Sequence, residues 1–108
     1  MNRLLFAVIV LAVSSSVQAR GNAESGKAKA AQVCAACHGP DGNKPSAPDQ
    51  PVLAGQYYDY LVRALLDYKA GHRTNGIMKG FAATLSTQDI EDLAAWFASQ
   101  KSALHDQR

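Results

Sequence analysis

The run Cys34-Ala35-Ala36-Cys37-His38 constrains this chain more than any other feature. Its C-x-x-C-H spacing is that of a covalent c-type haem attachment site. Two thiols three residues apart face the same way on a helical turn, so each can form a thioether to one vinyl group of a single haem. The adjacent His38 is then carried beneath the iron as an axial ligand. Other uses of two cysteines fit less well. A structural zinc site needs about four protein ligands, and His72 and His105 are isolated rather than clustered. A thioredoxin-like C-x-x-C accompanies a βαβ pattern, and no strand-like alternation occurs. A disulfide closing so short a loop stabilises little. The expectation is one haem c, held through Cys34 and Cys37.

Residues 1–19 read as a secretory signal peptide. Arg3 supplies the positive start, residues 4–13 form an unbroken apolar run, and Val17-Gln18-Ala19 is a small-residue cleavage site. That run is well short of the ~20 residues that span a bilayer, so the mature chain is expected not to be membrane-embedded. Export places it in the periplasm. Residues 20–108 then form one domain, because about 90 residues cannot support two cores. The formal charge is +2 with histidines neutral, and cleavage removes only Arg3. This excludes the strong basic footprint of a nucleic-acid binder and gives no global steering. A core this small is marginal by itself, so a buried porphyrin must supply much of the apolar surface.

Helical periodicity accounts for most of the rest. A first helix begins near Asn22, a good N-cap, with Glu24 favoured by the helix dipole. Ala23, Gly26, Ala30, Val33 and Cys37 make its stripe. Gly26 costs about 1 kcal/mol relative to alanine inside a helix, which points to close approach of another backbone or a large ring. Residues 39–55 are loop, with Pro40, Pro45, Pro48 and Pro51 opposing helix. A second helix spans 56–70 and stops at Gly71, with Tyr57, Tyr60, Leu61, Ala64, Leu65 and Tyr68 on one side. Residues 72–85 read as a second loop. Ser86 then caps a last helix, with Asp89 completing a capping box and Ile90, Leu93, Ala94 and Phe97 facing inward. The fold class is all-α: about three main helices and long loops wrapped around the haem.

The second axial position has three readings. Met78 is the only methionine beyond Met1, and its thioether would give His/Met ligation with a raised potential. His72 would give two nitrogen ligands and a lower one. An open iron would bind gas or peroxide. His72 otherwise reads as a solvated loop residue, and His105 as part of a polar tail.

With these pieces placed, the chain resembles the class I cytochromes c, and within them one half of the dihaem cytochrome c4 type. The resemblance covers essentially the whole of 20–108. It rests on Val33 through Gly39 with Asp41-Gly42-Asn43, on Pro51-Val52-Leu53-Ala54-Gly55-Gln56, on Tyr60-Leu61, and on Tyr68 through Arg73. Leu85-Ser86, Asp89-Ile90 and Asp92 through Phe97 complete it. It implies Met78 as the second ligand. It also implies that the Pro51 carbonyl accepts a hydrogen bond from His38, fixing the ring's tautomer. Leu53 would pack on the porphyrin face. Gly26 would let the last helix cross closely, beside Trp96. Two departures stand out: Gly76 replaces the family's frequent proline two residues before the methionine, and only one C-x-x-C-H is present.

The expected function is a periplasmic one-electron carrier rather than an enzyme, monomeric, meeting transient redox protein partners. Lys27, Lys44 and Lys79 are candidates for the docking rim. A haem enzyme or ligand-binding haem protein with a labile sixth position is the alternative. A thiol–disulfide oxidoreductase using Cys34 and Cys37 is a more distant one.

Overall fold

A computed structural model describes residues 21–103; the expected leader at 1–19 and His105 lie outside the described residues. Those described fold into five helices and no strand: α1 (Ala23–Val33), α2 (Ala35–His38), α3 (Tyr58–Ala70), α4 (Gly76–Ala83) and α5 (Thr87–Ser99). No helix among them is long and apolar enough to cross a membrane.

The starts of α1, α4 and α5 follow from a capping side chain. The Asn22 side chain accepts from Ser25 N at 3.0 Å, opening α1. Its own N–H donates to Asp92 Oδ1 at 2.7 Å, tying the start of α1 to α5. Cys34, at φ −114°, interrupts the first helical stretch, and five residues later Gly39 at φ +83° ends it. Gly71 closes α3 in the left-handed conformation, at φ +82°. The expected helix at 56–70 is therefore present but starts two residues late. Tyr57 and Tyr60, read on one side with Leu61 and Leu65, are more than half exposed at 60% and 52%.

The larger difference lies in 72–85. Sequence reading makes this a loop, whereas residues Gly76–Ala83 form α4. Asn75 starts it, its Oδ1 accepting from Met78 N at 3.0 Å. Ile77, Met78, Phe81 and Ala82 then recur at helical spacing, and α4 packs on α3. Gly76 and Gly80 hide the pattern, since each costs about 1 kcal/mol of helix propensity. About three main helices thus become five, and Met78 rides on a helix.

α1 and α5 cross at Gly26, which is buried against the Asp92 backbone and Trp96 Cβ. Ala30, Leu61, Leu85, Ile90, Leu93, Ala94 and Phe97 make the core between α1, α3 and α5. Asp92 is buried at 8% exposure, and its Oδ1 accepts from Asn22 N and Gln88 Nε2, so the buried carboxyl is hydrogen-bonded. Lys69 Nζ donates to the Leu85 carbonyl, linking α3 to the chain entering α5.

The Ser86 and Asp89 capping box is complete in both directions, at 3.0 Å each way. The Ser86 backbone N–H, then the Ser86 hydroxyl and Lys29 (3.6 Å away), hold the Asp89 carboxyl below the usual range. A folded carboxyl with a depressed pKa contributes stability above its unfolded pKa, and this is lost as pH falls through the folded value. Ser86→Ala is expected to cost about 1 kcal/mol in chemical denaturation. Asp89→Asn should destabilise at neutral pH, with the gap to wild type closing in melts taken below the ordinary carboxylate range.

Candidate functional site

The C-x-x-C-H residues sit where α1 gives way to α2, so Cys34 caps the short helix that carries Cys37 and His38. The following loop folds back over them: Lys44 N donates to His38 O at 3.1 Å and Ser46 N to Cys37 O at 3.0 Å. Further along, Leu53 N bonds Gly42 O at 2.9 Å, and Gly55 N bonds Phe97 O at 2.9 Å on α5. Gly42, at φ +81°, has no room for a side chain, since a Cβ would meet Phe97 Cδ1 at 2.8 Å. From the other side, Trp96 Nε1 donates to Pro40 O at 3.0 Å. The irregular stretch is thus pinned to the last helix.

His38 is buried at 6% exposure, and its Nδ1 lies 3.0 Å from the Pro51 carbonyl oxygen. A carbonyl only accepts, so Nδ1 carries a proton, and in the neutral ring the lone pair lies on Nε2. Burial, with Cys37 adding to it, pushes the Cys34 thiol up to about 11. Such a thiol stays protonated at neutral pH, unlike the low-pKa nucleophile of a thiol–disulfide oxidoreductase.

Cys34, Cys37, His38, Pro51, Leu53 and Met78 all line one cavity of about 430 Å³. Its walls are mainly apolar, with Val33, Leu61, Leu65, Phe81, Leu93 and Phe97 among them. Met78 reaches it from α4 and His38 from α2. His72 is exposed and is not part of the wall. Lys27, Lys44 and Lys79 do not line it either, and Lys27 lies over the Trp96 ring at 5.6 Å. Tyr68, Arg73 and Asn75 do, although sequence reading gives them no site role. For Asn75 the signal was available: a capping residue three positions before Met78.

This donor set fits a haem. Two thiols, an imidazole with a free Nε2 and a thioether share a cavity of cofactor size. No group of three or more His, Cys, Asp or Glu side chains among the described residues is placed to hold a bare metal ion.

The family described as cytochrome C oxidase, cbb3-type, subunit III matches residues 21–97. The chain belongs to the class I c-type cytochromes. Cytochrome c4 of Pseudomonas aeruginosa is 49% identical over 96% of this cytochrome and 51% of its own length. The crystal structure of reduced recombinant cytochrome c4 from Pseudomonas stutzeri superimposes with a TM-score of 0.72 at 47% identity. That match covers 78% of this chain and 48% of the other. This cytochrome therefore spans about half the length of the cytochromes c4 it matches. Cytochrome c-554(548) of Halomonas halodenitrificans is 40% identical over 75% of this chain and 99% of its own. The all-helical fold expected from sequence is the class I cytochrome c fold. As a member of this family, the chain binds one haem c covalently through Cys34 and Cys37.

Proposed function

We propose that this cytochrome is a periplasmic one-electron carrier in which His38 and Met78 would hold the haem iron. The observation that carries the reading is the meeting of His38, Met78 and both cysteines in one largely apolar cavity. The exposure of His72, away from that wall, favours the thioether over a second imidazole. Bound haem supplies a reversible one-electron couple. The chain's own residues do the rest. The Pro51 carbonyl holds a His38 proton at Nδ1 and would so leave Nε2 to take the iron. Leu53, Leu93 and Phe97 exclude water. Asn75 fixes the backbone at Met78. A thioether opposite an imidazole raises the potential relative to two nitrogens.

In this reading the leader at 1–19 exports the chain as a monomer, and donor and acceptor proteins dock briefly over a small area, as redox encounters do. No substrate is turned over. Met78→Ala should abolish the far-red sulfur-to-ferric-iron absorption band while the mass still shows covalent haem. The reduced variant should bind carbon monoxide rapidly and the reduced wild type should not. A far-red band that survives the substitution overturns Met78 as ligand.

A further inference from the structure

The cavity opens to solvent through a rim that carries little charge. Wall residues that are also exposed mark the opening: Asp49, Pro51, Tyr60, Asn75, Ile77 and Phe81. Ile77 is 69% exposed and Phe81 41%, the former being the most exposed large apolar side chain among the described residues. Tyr57, three residues before Tyr60 at the start of α3, continues the apolar surface. It does not line the cavity, so filling the cavity does not account for it.

The lysines stand elsewhere, and none lines the wall. Lys27 lies over the Trp96 ring, Lys29 pairs with Asp89, and Lys69 donates to the Leu85 carbonyl. Lys44 lies beside Gly39, and the Lys79 amine turns back toward Gly71 at the end of α3. Asp49 is the one charge on the rim, and the half-buried Arg73 in the wall opposes its sign.

A ring of like charges would attract an oppositely charged protein and repel a second copy of the same chain. A nearly neutral apolar rim does neither, and the formal charge of the whole chain is only +2. A large side chain offers about 150–250 Å², so Tyr57, Tyr60, Ile77 and Phe81, each about half open, present roughly 400 Å² per copy. A cofactor in the cavity takes part of that. Two such faces bury less than the about 1,200 Å² at which stable complexes begin, so a meeting of two copies is brief and leaves the chain monomeric. We infer that this opening is where two copies of the chain meet, a reduced copy passing one electron to an oxidised one. No bond forms or breaks, and the electron lost by one copy is the electron gained by the other. This rests on the cavity being the haem site of an electron carrier.

The test is electron self-exchange, read from the exchange broadening of haem methyl proton signals in mixtures of oxidised and reduced holoprotein. The wild-type rate should rise with protein concentration and change less than about twofold from low to high salt, because no like charges face each other. Ile77→Lys sets two cations face to face and should slow exchange about tenfold at low salt, with part of the loss recovered at high salt. Ile77→Glu should do the same. A mixture of the Ile77→Lys and Ile77→Glu proteins should exchange faster than either alone, since opposite charges then meet. Gln32→Lys, the same charge change at an exposed position of α1 off the wall, should leave the wild-type rate. Tyr57→Lys and Tyr57→Glu repeat the comparison away from Met78, so a disturbed far-red band in the Ile77 variants does not blunt the test. Wild-type signals without concentration-dependent broadening overturn the inference. So do rates unmoved by charge at both Ile77 and Tyr57, mixtures no faster than their parts, or a stable dimer in sedimentation. If self-exchange is slow while a neutral-faced blue-copper protein oxidises the reduced chain rapidly, and Ile77→Lys stops this, the opening serves a different redox protein and the inference is likewise overturned. The electron-carrier reading fails separately, through a colourless product or a labile sixth position in the wild type.

Discussion

A haem-free form of this chain, made by replacing Cys34 and Cys37 with alanine and withholding haem, is expected to lose most of its helix and melt without a cooperative transition. The reason lies in what the polypeptide can bury alone. Among the described residues nine apolar side chains are buried, and four of them are alanine: Ala30, Ala54, Ala82 and Ala94. Only Ile90 and Leu93 are large side chains buried completely. A fully buried Leu or Ile contributes about 1.5–3 kcal/mol, while ordering each residue costs on the order of 1–2 kcal/mol. Five large apolar side chains cannot hold the described residues by themselves. Leu53, Leu65 and Phe81 line the cavity, so a ring bound there would complete their burial. Far-UV circular dichroism and a thermal melt check this. A haem-free chain with native helicity and a sharp transition would contradict it.

The same dependence explains what the sequence exposed and what it concealed. Local rules sufficed where a helix end was set by its own residues: Asn22, Gly71 and the Ser86–Asp89 box all stand as read. Gly26 was legible because its cost demanded a reason, and Asp92 and Trp96 are that reason. The helix α4 was not legible, since Gly76 and Gly80 weaken its propensity and its partner is α3 and the cavity. Tyr57 and Tyr60 fit a helical stripe, but the stripe is wider than the face that α5 covers, and both remain exposed. The hydrogen bond between His38 and Pro51 spans thirteen residues of irregular chain. No periodicity announces such a contact; only the resemblance to a family did. Arg73 lay in a quoted motif, yet its place beside the Tyr68 ring at the cavity was not legible there.

Gly26→Ala is expected to destabilise the protein by about 2 kcal/mol, where helix propensity alone gives the opposite sign. Alanine in place of glycine inside an exposed helix gains about 1 kcal/mol. At Gly26 the added methyl would overlap the Asp92 carbonyl oxygen, and would lie 2.5 Å from the carbonyl carbon and 2.9 Å from Trp96 Cβ. Backbone on a facing helix cannot swing aside as a side-chain tip can, so α1 and α5 must separate. Overpacking of this kind costs about 1–3 kcal/mol. Separation also stretches the bond from Asn22 N to Asp92 Oδ1, whose loss costs on the order of 1 kcal/mol. The two penalties together exceed the propensity gain. Gly80→Ala supplies the control, because that helical glycine has nothing within 4 Å of the added methyl. There the propensity term acts alone, and about 0.5–1 kcal/mol of stabilisation is expected. With a shift of roughly 4–8 °C per kcal/mol for a domain of this size, thermal melts of the two holoproteins should move in opposite directions. If Gly26→Ala melts at or above wild type, the close crossing of α1 and α5 does not govern this fold.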